Sequence, residues 1–201
     1  MASERGRPRG FDIDIALESA LHVFWKNGYQ SASMQELTAA MCLSKPSLYA
    51  AFGSKKTLYL KSLARYLNLL VEDCGVALTS EPDAYKAVQN FLLAISKLLT
   101  NPNFPGGCFI INGIADLGGS TTPEDVNIQL SAALKGSETM LQERLLRAKN
   151  EGQLSTLNAH TDLAMLYSAL ISGLAVQAKS GASEERLNDI IRMAMAAWPK
   201  T

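Results

Sequence analysis

Histidine is nearly absent from this 201-residue chain, which has only His22 and His160. Two imidazoles so far apart in sequence do not make the cluster that a histidine-based metal centre or acid–base relay needs. Cysteine is scarce as well. Cys42, Cys74 and Cys108 are odd in number and never spaced as C-x-x-C, which argues against a disulfide framework or structural zinc and for a reducing, cytoplasmic compartment. No uninterrupted apolar run approaches the ~18–20 residues that cross a bilayer. The basic opening MASERGRPRG is not followed by the apolar segment of a secretory signal, so no membrane partner is expected. Net charge is lacking too: 19 Lys and Arg balance 19 Asp and Glu. That total speaks against a polyanionic partner, but the distribution does not. Residues 1–62 hold eight basic residues against five acids, a surplus of three, and the remainder must carry the matching deficit. A mildly basic front on an acidic body fits one end that meets a polyanion.

What is present is apolar material, 47% of the chain, arranged with helical periodicity and no strand-like alternation. An all-α fold is therefore expected. The first helix is predicted over 12–27, with Ile13, Leu17, Ala20, Leu21 and Phe24 on one face and Gly28 as its left-handed stop. Ser33-Met34-Gln35-Glu36 reads as a capping box opening a second helix. Ser44 caps a third, with Pro46 in the first turn, where its missing N–H costs nothing. Further helices are predicted over 55–73, 82–100, 107–117, 123–150, 161–179 and 183–198, separated by Gly-, Pro- and Asn-rich punctuation.

The third helix spans LSKPSLYAAFG. Leu48, Ala51 and Phe52 share one side; Lys45, Pro46, Tyr49 and Ala50 share the other. Two capped helices joined by a short turn, the second with a small polar outer face, form the pattern of a helix-turn-helix. The ending Phe-Trp-x-x-Gly-Tyr of the first helix, Ser33 with Leu37-Thr38, and the run from Leu43 to Lys55 together resemble the TetR/AcrR family of transcriptional regulators. The resemblance is specific over residues 11–62. Gly107-Cys108-Phe109-Ile110-Ile111-Asn112 and Trp198-Pro199 resemble one subgroup of it.

The resemblance implies a basic arm over 1–10, a three-helix DNA-binding head over 11–54, and a helical effector-binding and dimerisation body over 55–201. It assigns the Tyr49 hydroxyl, Lys55 and the Ser33 hydroxyl to backbone phosphates. Lys45, Pro46, Ser47 and Ala50 would face base edges, Lys45 toward guanine and Pro46 and Ala50 toward thymine methyls. Lys56 stands where an acidic residue is often found and would add a phosphate contact. Arg5, Arg7 and Arg9, in a Gly/Pro-stiffened arm, suit a narrow minor groove; the other reading is a solvated basic tail. On composition alone Tyr49 would be an ordinary half-buried tyrosine; its placement opposite Leu48 and Phe52, with Lys55 six residues on, favours phosphate contact. Gly53-Ser54-Lys55-Lys56-Thr57 lacks the earlier glycine and the strand of a phosphate-binding loop.

In the body, the family layout implies an effector pocket, for which Leu69, Phe91, Phe104, Cys108, Ile111, Asn112 and Leu141 are candidates. Cys108 at a helix start could be a low-pKa sensor thiol, or a small buried hydrophobe; Cys42 is expected in the core. Leu163, Leu170 and Leu174, and Leu187, Ile191, Ala194 and Trp198, form apolar stripes that either fill the core or build a two-fold four-helix bundle. The function implied is a ligand-responsive dimeric regulator, a repressor released from a palindromic operator by a small molecule. A thiol-based electrophile sensor and a helical enzyme are the alternatives; the enzyme has no catalytic constellation to support it. No metal and no cofactor are expected.

Overall fold

Side-chain caps fix where the first helices begin. Asp12 accepts the Asp14 and Ile15 amides at 2.8 and 3.2 Å and opens α1, Ile13–Ser31. Ser33 accepts the Glu36 amide at 3.1 Å while Glu36 accepts the Ser33 amide at 2.8 Å, the reciprocal box that starts α2, Met34–Ala40. Ser44 and Ser54 cap α3, Lys45–Phe52, and α4, Lys55–Leu70, by accepting the Ser47 and Thr57 amides at 3.3 and 3.1 Å. The computed structural model describes residues 11–114, 121–154 and 159–199, and all regular structure among them is helical.

The chain continues through α5 (Val76–Ser80), α6 (Ala84–Leu99), α7 (Phe109–Gly113), α8 (Glu124–Asn150), α9 (Ala159–Lys179) and α10 (Glu184–Met195). Several boundaries differ from the sequence pattern, three of them for a visible backbone reason. Gly28 takes φ 76°, as its position suggested, yet one more turn follows it to Ser31. Residues 55–80 are nearly continuous helix, but a π-turn over Val71–Gly75 inserts an extra residue between α4 and α5, which propensity does not signal. α7 is shorter than 107–117 because Gly106 and Gly107 both have left-handed φ, so the helix cannot start before Cys108 caps it; positions 115–117 lie outside the described residues.

α1 lies against α4 and α7, and α8 against α9. The junction of head and body is aromatic. Trp25 is fully buried, stacks on Phe104 at 5.0 Å between centroids, and meets Tyr66 edge-on at 4.7 Å. Its indole N–H donates to the Gly107 carbonyl at 3.2 Å. Tyr59 and Phe109 extend the cluster to Phe24, Tyr29 and Tyr66. Head and body thus share one core.

One buried charge is tied into it. Arg144, 4% exposed, donates to the carbonyls of Leu78, Glu81 and Pro82 at 3.1, 2.9 and 3.0 Å, closing the C-terminal end of α5. Arg144→Met keeps the apolar stem and removes all three bonds. It is expected to cost about 3 kcal/mol, since hydrogen bonds from charged donors are worth more than neutral ones and the buried Leu78 carbonyl would lose its side-chain partner, while the exposed Pro82 carbonyl keeps its bond from Gln153. Urea unfolding should show a lower midpoint with an unchanged slope.

α9 spans 21 residues and is long and apolar enough by length and composition to cross a bilayer. The sequence pattern missed this because alanine, glycine and serine interrupt the apolar runs without making the average polar. The helix instead packs against α8, α6 and α10.

Candidate nucleic-acid interface and ligand cavity

α3 presents two different sides. Leu48 and Phe52 are 0% and 2% exposed and anchor it to the head. Lys45, Pro46, Tyr49 and Ala50 are exposed together, and Ser47 is half-buried with its hydroxyl 2.8 Å from that of Ser44. The Ser33 hydroxyl accepts the Glu36 amide as a cap at the start of α2. The Ser33 amide and hydroxyl in turn hold the Glu36 carboxyl below its ordinary range.

The two lysines that open α4 take different partners. Lys55 donates to the Gln30 carbonyl at 3.2 Å and lies 4.8 Å over the Tyr29 ring, beside the end of α1. Lys56 points to the body: its ammonium sits 2.6 Å from Asp125 on α8, and that contact raises its pKa. Lys56, given a phosphate contact by the sequence reading, is here held in an exposed ion pair between the start of α4 and the start of α8. Arg5, Arg7 and Arg9 lie outside the described residues. Cys42 is exposed, not core. The turn after α2 puts it at φ 52°, the place where glycine usually ends a helix, and Met41 and Leu37 supply the buried side instead.

The body encloses a cavity of about 410 Å³ walled by α4, α6, α7, α8 and α9. Phe91, Cys108 and Ile111 line it with Tyr66, Leu67, Leu70, Ile95, Leu98 and Leu99; Ala132, Ala133, Gly136, Ser137 and Met140 form the α8 wall. Four candidates do not belong. Leu69 is out of helical phase with Leu67 and Leu70 and turns to the far side of α4, beside the Glu18–Arg65 ion pair. Phe104 is committed to the Trp25 stack. The Asn112 amide donates to the Trp25 carbonyl at 3.0 Å, away from the cavity. Leu141 is fully buried core on another face of α8.

Cys108 is 7% exposed and accepts a hydrogen bond from the Tyr66 hydroxyl at 3.2 Å. Burial pushes its thiol pKa up, overturning the expectation of a dipole-activated thiolate; α7 is only five residues long, and desolvation outweighs it. Cys74 is likewise raised, to about 12. Brief iodoacetamide treatment of the native protein at pH 8 is therefore expected to label Cys42 first, with Cys74 and Cys108 reacting only on unfolding; peptide mass spectrometry would read the order. Among the described residues, no group of three or more His, Cys, Asp or Glu is placed to hold a metal ion.

The apolar stripes of the last two helices divide. Leu163, Leu174, Leu187 and Ile191 are buried inside the chain, so they are core residues and not a free face. Leu170 and Ala194 are half-buried, and Trp198 packs edge-on to Tyr85 at 5.6 Å. The side of α9 left open carries Met165, Leu166, Ala169, Gly173 and Val176, joined by Met193 of α10. Reading one stripe per helix picked the side with the larger residues, which the chain itself uses.

The family model described as bacterial regulatory proteins, tetR family, matches residues 16–61. A second, described as tetracyclin repressor-like, C-terminal domain, matches 84–198. The chain is 32% identical over 197 residues to the HTH-type transcriptional repressor ComR of Escherichia coli (strain K12), covering 98% of this chain and 93% of that one. The chain belongs to the TetR family. It is 26% identical over 196 residues to the uncharacterized HTH-type transcriptional regulator YezE of Bacillus subtilis (strain 168), covering 95% and 98%. A solved structure of a cysteine mutant of the TetR family transcriptional regulator CifR, complexed with 26-bp double-strand operator DNA, superposes with a TM-score of 0.90 at 39% identity. It covers 96% of this chain and 100% of that one. As a TetR-family protein the chain is a transcriptional regulator and not an enzyme. Within that family layout, the features the sequence reading missed are the small-residue wall of α8, the Lys56–Asp125 pair and the Trp25 junction. The first had a legible signal in the helical spacing of Ala132, Ala133, Gly136 and Ser137; the other two had none.

Proposed function

We propose that the chain is a cytoplasmic repressor that binds a palindromic operator as a two-fold dimer and is released when a small molecule enters the α4–α9 cavity. The observation that carries this reading is the two-sided α3: a polar ridge of Lys45, Ser47, Tyr49 and Ala50 held from behind by Leu48 and Phe52. Lys45, Pro46, Ser47 and Ala50 would meet base edges, and Ser33, Tyr49 and Lys55 phosphates. Arg5, Arg7 and Arg9 would enter the flanking minor groove. The open α9 face and Met193 would form the self-complementary interface that a palindrome requires.

Coupling has a physical route. α8 lines the cavity with its middle and touches the head with its beginning. There Asp125 pairs with Lys56, and the buried Thr122 just before the helix accepts from the Gln30 amide at 2.7 Å. A ligand that displaces α8 or tilts α4 would move both attachments, and with them the spacing of the two heads. A differential affinity of ~1–3 kcal/mol between the two arrangements gives ~5- to 150-fold relief.

Footprinting on the DNA flanking its own gene tests the reading directly: a protected, dyad-symmetric site supports it, and no protection at low ionic strength overturns it. On that site, Tyr49→Phe and Lys55→Ala should weaken binding to all sequences alike. Lys55→Ala should also flatten the slope of log affinity against log salt by about two units, one for each half-site of the dimer.

A further inference from the structure

Resting on the effector role proposed above, we infer that the cavity takes an uncharged, mostly apolar molecule carrying one hydrogen-bond donor, and rejects anions and cations of the same skeleton. No lysine, arginine, histidine, aspartate or glutamate is among the described residues that line it. An ion buried there would lose its hydration with no counter-charge to replace it, whereas a neutral skeleton gains contact with leucine, isoleucine and phenylalanine walls.

The few polar atoms narrow the choice further. The Tyr66 hydroxyl spends its proton on Cys108 Sγ at 3.2 Å, and the Ser172 hydroxyl donates to the Ser168 carbonyl at 3.3 Å. Ser137 likewise faces the Leu134 carbonyl at 3.5 Å. The Tyr66 oxygen is fully buried and already faces the Phe109 amide. The half-buried Ser137 and Ser172 oxygens, with their protons turned inward, have lone pairs to offer, so the lining accepts hydrogen bonds more readily than it donates them. A ligand N–H or O–H fits that surface; a lone carbonyl does not. Gln129, exposed at the rim, is the only amide among the lining residues.

The space itself is made by what α8 leaves out. Ala132, Ala133, Gly136 and Ser137 oppose the larger Phe91, Ile95 and Leu98 of α6, and a Cβ added at Gly136 would meet no atom within 4 Å. Gly113, by contrast, is packed so tightly that an added Cβ would lie 2.8 Å from the Tyr59 hydroxyl. A longer side chain at 136 is therefore free to grow into the void without disturbing the core, and replacing a mid-helix glycine does not weaken the helix.

The test uses two fluorescent probes that share one skeleton and one bridging N–H, N-phenyl-1-naphthylamine and its anionic relative 1-anilinonaphthalene-8-sulfonate. Each is titrated into the full-length protein. The neutral probe is expected to saturate at one equivalent per chain, and the sulfonate to bind at least about 100-fold more weakly for want of a counter-charge. Gly136→Leu and Ala133→Leu should each weaken the neutral probe at least about tenfold, because they occupy its volume. Helical circular dichroism and the melting temperature of both variants should match the parent; if one misfolds, the other carries the comparison. Equal binding of the two probes, no saturable neutral site, or affinity unchanged in a folded plugged variant would each overturn the inference. Footprinting of the probe-free protein separates the two readings. Protected DNA with no probe selectivity sinks only this inference, and selective probe binding without any protected DNA sinks only the repressor.

Discussion

Lys45→Ala is expected to lower operator affinity by about 30-fold at the least and about 10⁴-fold at the most, while leaving binding to random duplex much less affected. A well-aligned base-edge contact discriminates by ~1–3 kcal/mol. A symmetric dimer makes each contact twice, so the loss doubles to ~2–6 kcal/mol, and each ~1.4 kcal/mol is a factor of ten. The structural ground is that Lys45 is exposed on the first turn of α3 with no ion pair among the described residues, while Leu48 and Phe52 fix the helix beneath it. Because Lys45 lies outside the core, the variant should melt as the parent does. Fluorescence anisotropy on operator and scrambled duplexes at one salt concentration reads the difference. If both affinities fall by the same factor, Lys45 contacts phosphate and the base-edge assignment is wrong.

Trp25→Ala should have the largest effect on the fold, about 3–5 kcal/mol of destabilisation, the range for deleting a buried large aromatic. Trp25 is 0% exposed, stacks on Phe104, meets Tyr66 edge-on and donates to Gly107. Its removal takes away the side chain against which both the 101–108 loop and α4 rest. Trp25→Phe separates the contributions: it keeps most of the ring packing and strands the Gly107 carbonyl, at a cost of about 1–3 kcal/mol. Urea unfolding of the three proteins gives both numbers. Since Tyr66 also lines the cavity, Trp25→Phe should blunt relief by an effector more than it changes operator affinity in its absence. Unimpaired relief would show that the ligand signal bypasses this junction.

Much of the head could be read without coordinates because its determinants are local. Ser33 with Glu36, Ser44 with Pro46, and Ser54 act within four residues of themselves, so their spacing alone marks where α2, α3 and α4 begin. The all-helical body was legible for the same reason, since periodicity reports which face is apolar. It does not report what that face meets. Leu163, Leu174, Leu187 and Ile191 are as apolar as any interface needs, yet the chain covers them itself and leaves Met165, Leu166 and Val176 outside. Leu69 and Leu141 failed as cavity residues because a helix turns about 100° per residue, so neighbours of true lining residues such as Leu70 and Met140 face elsewhere, and only the packing decides which side meets the cavity.

By itself, then, the sequence determined the helices, their caps and the two-sided α3, all set by interactions that span about one turn. Only the tertiary structure decided the cavity, the buried and unactivated Cys108, the Lys56–Asp125 tie and the Trp25 junction. Each of those joins residues about 40 or more positions apart, or depends on a void that no residue encodes, and is fixed by how the helices fill one volume.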